Sequence, residues 1–183
     1  MRDPSSILIT GASSGIGAPL ARHYARAGRQ IFPAGRDAAR LAETAAACRA
    51  AGAAVEAQVQ DVTDRQAMAG WVAACDETAP LELAIANAGI SAGTGSDAGE
   101  SEEQARRILA VNHDGVLNTL FPAIERMRPR RRGQVAVMSS LAAFRGFPGA
   151  PAYCASKAAV RVWAESLRPE LAREGVGVTV ICP

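Results

Sequence analysis

Tyr153 and Lys157 stand four residues apart in an Ala-rich stretch of helical composition. One helical turn brings such positions onto one face, so a phenol and an ammonium can act on the same group. Free tyrosine titrates near ~10, too high to exchange protons efficiently at neutral pH, and a neighbouring ammonium favours the phenolate. The two residues form a usable acid–base pair. Ser140, with Ser139 beside it, lies thirteen residues before Tyr153 across a Gly- and Pro-bearing loop. A hydroxyl there can donate to a substrate oxygen and stabilise charge developing on it. Tyr-x-x-x-Lys alone equally describes an aromatic at a helix–sheet contact beside a lysine whose head reaches water.

A second constellation opens the chain, where Thr10-Gly11-Ala12-Ser13-Ser14-Gly15-Ile16-Gly17 follows a short apolar run and precedes a helix-compatible segment. Glycines in a strand-to-helix turn permit positive φ, let backbone N–H groups approach a pyrophosphate and allow close packing of helix on strand. A Gly-rich connection without ligand is the competing reading of this turn. At the end of the next predicted strand stand Gly35 and Arg36. An acidic residue there would bond ribose hydroxyls and repel a 2′-phosphate, whereas a planar guanidinium suits a phosphate dianion. This points to NADP(H) in preference to NAD(H), unless Arg36 is only a surface residue opening a helix capped by Asp37.

These residues need strands that end, and helices that begin, at one edge of a sheet. Short β-rich runs at 7–10, 30–34, 54–60, 81–86, 134–139 and 176–182 alternate with helical stretches at 15–27, 37–51, 64–77, 100–127 and 152–174. Six strands joined by helical crossovers predict an α/β fold, a mostly parallel, doubly wound sheet covered on both faces, in a single domain. Pro33 is the exception, since proline cannot donate to a ladder, and it is expected at the C-terminal end of its strand. Pro19 falls in a first helical turn, where a missing N–H costs little.

Composition narrows the function. The 183 residues are 49% hydrophobic but only 4% aromatic, with a formal net charge of +2, too balanced for a nucleic-acid footprint. Arg126, Arg128, Arg130, Arg131 and Arg132 cluster before Gly133, where a helix should end, and read as a solvated face favouring the helix dipole. Cys48, Cys75, Cys154 and Cys182 show neither C-x-x-C spacing nor a histidine at metal-ligand distance. No metal site is expected, and the cysteines read as reduced thiols. The N-terminal apolar stretch is too short for a signal peptide or membrane span, so a cytoplasmic protein is expected. His113 and His23 receive no role.

Gly-x-x-x-Gly-x-Gly, Asn87-Ala88-Gly89, Asn112, Ser139-Ser140 and Tyr153-x-x-x-Lys157, taken in order, resemble the short-chain dehydrogenase/reductase (SDR) family from Thr10 to Pro183. The glycine spacing differs from that family's extended branch, and its divergent enoyl reductases insert two more residues between tyrosine and lysine. The resemblance implies a Rossmann fold and an oxidoreductase moving hydride between NADP(H) and a small-molecule carbonyl or alcohol. Tyr153 is the implied general acid/base, tuned by Lys157 and a cationic nicotinamide. Ser140 is implied as catalytic, and Asn112 as holding a relay water, although a buried amide serving backbone groups at a helix bend fits Asn112 equally. Gly11, Ser13, Ser14, Gly15, Ile16, Gly17 and Arg36 would bind cofactor. Asp61, with Val62, would lie near the adenine, and Asn87, Ala88 and Gly89 would stabilise the sheet beside the cofactor; Tyr153 and Lys157 also contact it.

The same resemblance implies a homodimer or homotetramer built on the two long helices around 100–127 and 152–174. It further implies that Cys182-Pro183 begins a Pro-Gly element followed by another strand and a segment over the substrate, so that the C-terminal part is expected to be missing here. The 91–99 loop, rich in Gly and Ser, is a candidate pocket wall. A non-catalytic dinucleotide-binding sensor or scaffold is the alternative, since fold alone does not set function.

Overall fold

Ser6–Thr10 forms β1, Gln30–Gly35 β2, Ala54–Val55 β3, Gln58–Val59 β4, Leu83–Ala86 β5, Gly133–Met138 β6 and Val176–Ile181 β7. The computed structural model describes residues 3–91 and 99–183. Met1, Arg2 and residues 92–98 of the loop expected to wall the pocket lie outside the described residues. All pairings are parallel, in the order β3-β2-β1-β5-β6-β7, with β4 also on β2. The chain thus winds outward from β1 in both directions, and a crevice opens beyond the strand ends where the winding reverses.

Both faces of the central strands are covered, so β1 reads as an unbroken apolar run, with Ile7, Leu8 and Ile9 each 0% exposed. Alternate side chains go to opposite layers. Ile7, Ile9, Ile31, Leu83 and Ile85 pack with Ala21 of α1 (Gly17–Tyr24) and Leu41 of α2 (Ala38–Ala50). Leu8, Phe32, Ala84 and Val135 pack with residues of α3 (Arg65–Thr78), α5 (Gly115–Met127) and α6 (Pro151–Arg173). Asp37 and Asp64, the first residues of their predicted helices, stand just outside the observed ones and cap them, accepting from Arg40 N–H and Ala67 N–H, the usual duty of an N-cap aspartate.

Two expectations are corrected. The third predicted strand is broken into β3 and β4, and Pro33 explains the break. It sits inside β2, paired with Ile9, and not at the strand end. Ile31 O accepts from Glu56 N–H and Gly35 O from Gln60 N–H, so odd-numbered residues of β2 face the third strand. Pro33 therefore aims its missing donor at the gap between β3 and β4, where a ladder bond is lost.

The helix predicted over 100–127 is interrupted. α4 (Glu102–Leu109) passes through a π turn at Ala110–Asp114 into α5. Such bulges recur at functional sites, and this one carries Asn112.

The arginine cluster is solvated, with Arg126, Arg131 and Arg132 exposed, and its guanidiniums are also paired. Arg130 makes two hydrogen bonds to Asp76, at 2.7 and 3.0 Å, and donates to Leu81 O. Arg128 pairs with Glu170 and Glu174, Arg132 with Glu82 and Arg126 with Glu77, while Arg131 donates to Arg173 O. Burial pushes the Asp76 carboxyl up, but the Arg130 guanidinium and the Leu81 N–H together hold it below the usual carboxylate range. Since β6 starts at Gly133, the cluster fastens the N-terminal edge of the parallel sheet, opposite the crevice.

Candidate functional site

The crevice is an open cleft of about 550 Å³ at the C-terminal ends of β1, β2, β5 and β6. Of the predicted site residues, Gly11, Ser13, Ser14, Gly15, Ile16, Arg36, Asp61, Val62, Asn87, Ala88, Gly89, Ser140, Tyr153 and Lys157 all line it. Gly17 and Asn112 do not, and both lie one layer behind. A Cβ on Gly17 would stand 2.2 Å from Gly11 O and 2.5 Å from Asn87 Nδ2, so glycine lets α1 close on the β1 turn. Gly15, by contrast, has φ +53° and open space where a Cβ would be. α1 has no side-chain cap; Ala18 N–H donates to Ser14 O and Pro19 has no N–H, so Gly17 carries the first-turn donor left for a ligand.

Thr10 organises the floor, a role its place in the glycine motif did not disclose. Its Oγ1 accepts from the N–H groups of Asn87 and Ala88 at 3.1 and 3.2 Å, and Asn87 Nδ2 returns a bond to Thr10 O at 3.0 Å. The β1 and β5 turns are thereby locked together. Val62 is held from behind, its carbonyl accepting from Asn118 Nδ2 at 2.9 Å. A Cβ on Gly115 would meet Val62 Cγ2 at 2.5 Å, so α5 approaches here only through glycine.

At the adenosine end, a Cβ on Gly35 would come within 2.9 Å of Ser13 Oγ. Arg36 is half exposed and its Nη1 lies 3.9 Å from Asp61 Oδ2, a loose pair that leaves most guanidinium donors open. Burial pushes the Asp61 carboxyl up, but bonds from Thr63 N–H and hydroxyl, with the Arg36 charge, hold it below the usual carboxylate range.

At the other end Lys157 is only 4% exposed and donates from Nζ to Met138 O at 2.8 Å. Its Nζ stands 5.8 Å from the centre of the Tyr153 ring. Burial pulls its ammonium down to about 8. Ser139 is buried at the cleft wall, and its hydroxyl donates to Lys157 O at 2.8 Å, which anchors α6 to β6. Ser140 lines the cleft and caps the short turn Leu141–Ala143, its Oγ accepting from Ala142 N–H at 3.2 Å. The hydroxyl proton remains free to be donated outward.

Asn112 is fully buried, and its side chain is engaged on every side. Oδ1 accepts from Ile90 N–H at 2.8 Å, and Nδ2 donates to Ile90 O at 2.9 Å and to Ser156 Oγ at 3.1 Å. Ser156 in turn donates to Tyr153 O at 2.7 Å. The amide therefore serves the backbone at a helix bend, the second of the two readings open for it. Sequence reasoning missed Ser156, Asn118 and Thr10 because their partners lie 44, 56 and 77 residues away.

The cleft suits a dinucleotide on its own geometry. It joins a capless helix N-terminus, glycines that bring the backbone to its surface, an open arginine and a hydroxyl–phenol–ammonium group. A family model described as short chain dehydrogenase matches residues 5–183. An uncharacterised oxidoreductase of Myxococcus xanthus is 42% identical over 177 residues, covering 96% of this chain and 70% of that protein. A probable oxidoreductase EphD of Mycobacterium tuberculosis is 36% identical over 179 residues, 97% of this chain but 30% of its own length. Among solved structures, an NAD+-bound xylitol dehydrogenase superposes with TM-score 0.92 at 25% identity, over 100% of this chain and 71% of that one. An actinorhodin polyketide ketoreductase variant with NADPH does so with TM-score 0.90 at 30% identity, over 100% and 71%.

Proposed function

The chain belongs to the short-chain dehydrogenase family, whose members are NAD(P)-dependent oxidoreductases acting on CH–OH groups, and from that premise we propose that it reduces a small-molecule carbonyl with NADPH, or runs the reverse oxidation. The observation that carries this reading is the convergence of Ser140, Tyr153 and buried Lys157 at one end of a cleft whose other end holds Arg36. When bound, the cofactor supplies the hydride.

Gly11, Ser13, Ser14, Gly15 and Ile16 hold the diphosphate, with the positive end of the α1 dipole answering its charge. Gly17 lets that helix approach. Asp61 and Val62 receive the adenine, and Asn87, Ala88 and Gly89 form the wall beside the nicotinamide. Arg36 sits where Gly35 leaves the strand end without a carboxylate, which favours a 2′-phosphate and hence NADP(H).

Ser140 donates to the substrate oxygen, fixing it against the phenol. Tyr153 delivers a proton to that oxygen as it becomes an alcohol, and takes one in the reverse direction. Lys157 stabilises the phenolate left behind. A relay water near Asn112 would use a main-chain group or the second lone pair of Oδ1, because both Nδ2 hydrogens are engaged. The exposed apolar side chains Leu109, Phe121 and Val162, at 41%, 48% and 51%, support assembly as a homodimer or homotetramer through α4, α5 and α6. The single domain is read as one dinucleotide-binding unit.

The test is titration of NADPH and NADH, followed by nicotinamide fluorescence, on wild type and Arg36→Ala. NADPH should bind tighter, and the substitution should reduce that preference about tenfold or more. Tyr153→Phe should bind NADPH normally yet lose about 10²-fold or more in carbonyl reduction. Equal affinity for both nucleotides would overturn the role of Arg36, and an active Tyr153→Phe would overturn the mechanism.

A further inference from the structure

We propose that Glu100 is a positioning residue for Tyr153, capping the N-terminus of α6 from across the fold and so fixing the turn that presents the phenol. The inference rests on Tyr153 as the proton-transferring group.

α6 begins without help from its own flank. Its N-cap, Ala150, has no side-chain acceptor, and Pro151 at the first helical position has no N–H. The first open donor is the N–H of Ala152, the residue before Tyr153. It donates to Glu100 Oε2 at 2.9 Å, over 52 residues of chain. The neighbouring Ser101 caps a different helix, α4, its Oγ accepting from Gln104 N–H. Consecutive residues thus terminate two helices that pack on each other. The second carboxylate oxygen, Oε1, is buried with no partner among the described residues. That state costs free energy which a carboxylate turned to solvent avoids, so the side chain is held inward against a cost.

Tyr153 is consequently bracketed. On its N-terminal side Glu100 holds Ala152 N–H; at its own carbonyl Ser156 donates, and Ser156 is held by Asn112. One hold comes from just before α4 and the other from the π turn at its end, so the two flanks of α4 together set the height of the phenol over the cleft. A carboxylate at a helix N-terminus also meets the positive end of the helix dipole. The hydrogen bond requires only an acceptor, which glutamine retains and alanine lacks.

The experiment compares wild type, Glu100→Ala and Glu100→Gln by amide hydrogen exchange over residues 150–156. It pairs this with steady-state reduction of ethyl acetoacetate by NADPH. Glu100→Ala should exchange faster in the first turn of α6 alone and lower kcat about tenfold, with KM and NADPH affinity within about twofold of wild type. Glu100→Gln should match wild type in both readouts. Unchanged exchange in Glu100→Ala, failure of glutamine to restore, or NADPH affinity falling in step with kcat would each overturn the proposal. If wild type does not reduce the probe, exchange alone decides for Glu100. Retained activity in Tyr153→Phe would strike the proposed function and leave the cap standing.

Discussion

Lys157 combines two demands that oppose each other. Its ammonium is wanted beside Tyr153, but at 4% exposure burial disfavours charge and pulls its pKa from 10.5 to about 8. The hydrogen bond to Met138 O offsets part of that loss. In the unfolded chain the lysine stays protonated to about 10.5, so between about pH 8 and 10.5 the unfolded state binds more protons and stability rises with pH. Below about 8 the charged, buried form is a standing cost. Lys157→Met should therefore melt higher than wild type at pH 7, and the gap should close as pH climbs toward 10.5. Thermal melts across that range, in the absence of nucleotide, check it; a gap that widens with pH would contradict the burial argument. Catalysis and stability pull apart at this position, as they do at many sites.

Among the elements, the turn between β1 and α1 is tightly constrained. Thr10, Asn87 and Gly17 form a block in which α1 rests on the carbonyl of Gly11. Gly17→Ala would place a methyl 2.2 Å from that carbonyl, and backbone cannot yield as a side-chain tip can. The helix would have to lift from the strand, at about 3 kcal/mol, and the first-turn N–H groups would move with it. Urea unfolding should show the lower midpoint, and nucleotide titration a loss of binding; an unchanged midpoint would mean that α1 has slack not evident in its packing. The broken third strand makes the converse point, because one proline on the facing strand suffices to cut a ladder in two.

Over the whole molecule, the two ends of the sheet are specialised. The crevice end carries open donors and an underused arginine, whereas the opposite end closes its charges in pairs such as Arg130 with Asp76. Exposed apolar side chains lie on the 141–147 segment, at Leu141, Phe144 and Phe147, and on the α4–α6 layer, at Leu109, Phe121 and Val162; on that layer Phe121 meets the edge of Trp163 with ring centres 5.5 Å apart. If that surface joins copies of the chain, Phe121→Glu should lower the mass measured by sedimentation while leaving thermal stability of the protomer within about 1 kcal/mol, as for surface changes generally. A mass unchanged by the substitution would place the interface elsewhere.

What the sequence determined by itself was whatever depends on near neighbours. The βα alternation, the capping aspartate Asp37, the glycine turn and the four-residue spacing of Tyr153 and Lys157 are all local patterns, and local patterns are written in order along the chain. Even the cleft's lining was legible, because a parallel sheet brings every strand's C-terminal end to one edge. Tertiary structure alone decided the rest, since each case turns on a partner far away in sequence. Pro33 breaks a strand it does not belong to. The arginines before β6 find their carboxylates on α3, just before β5 and at the C-terminal end of α6. Asn112, Ser156 and Glu100 reach Tyr153 only when α4 lies against α6. Hydrogen bonds across 44 to 77 residues leave no periodicity to read, and they fix where the phenol stands.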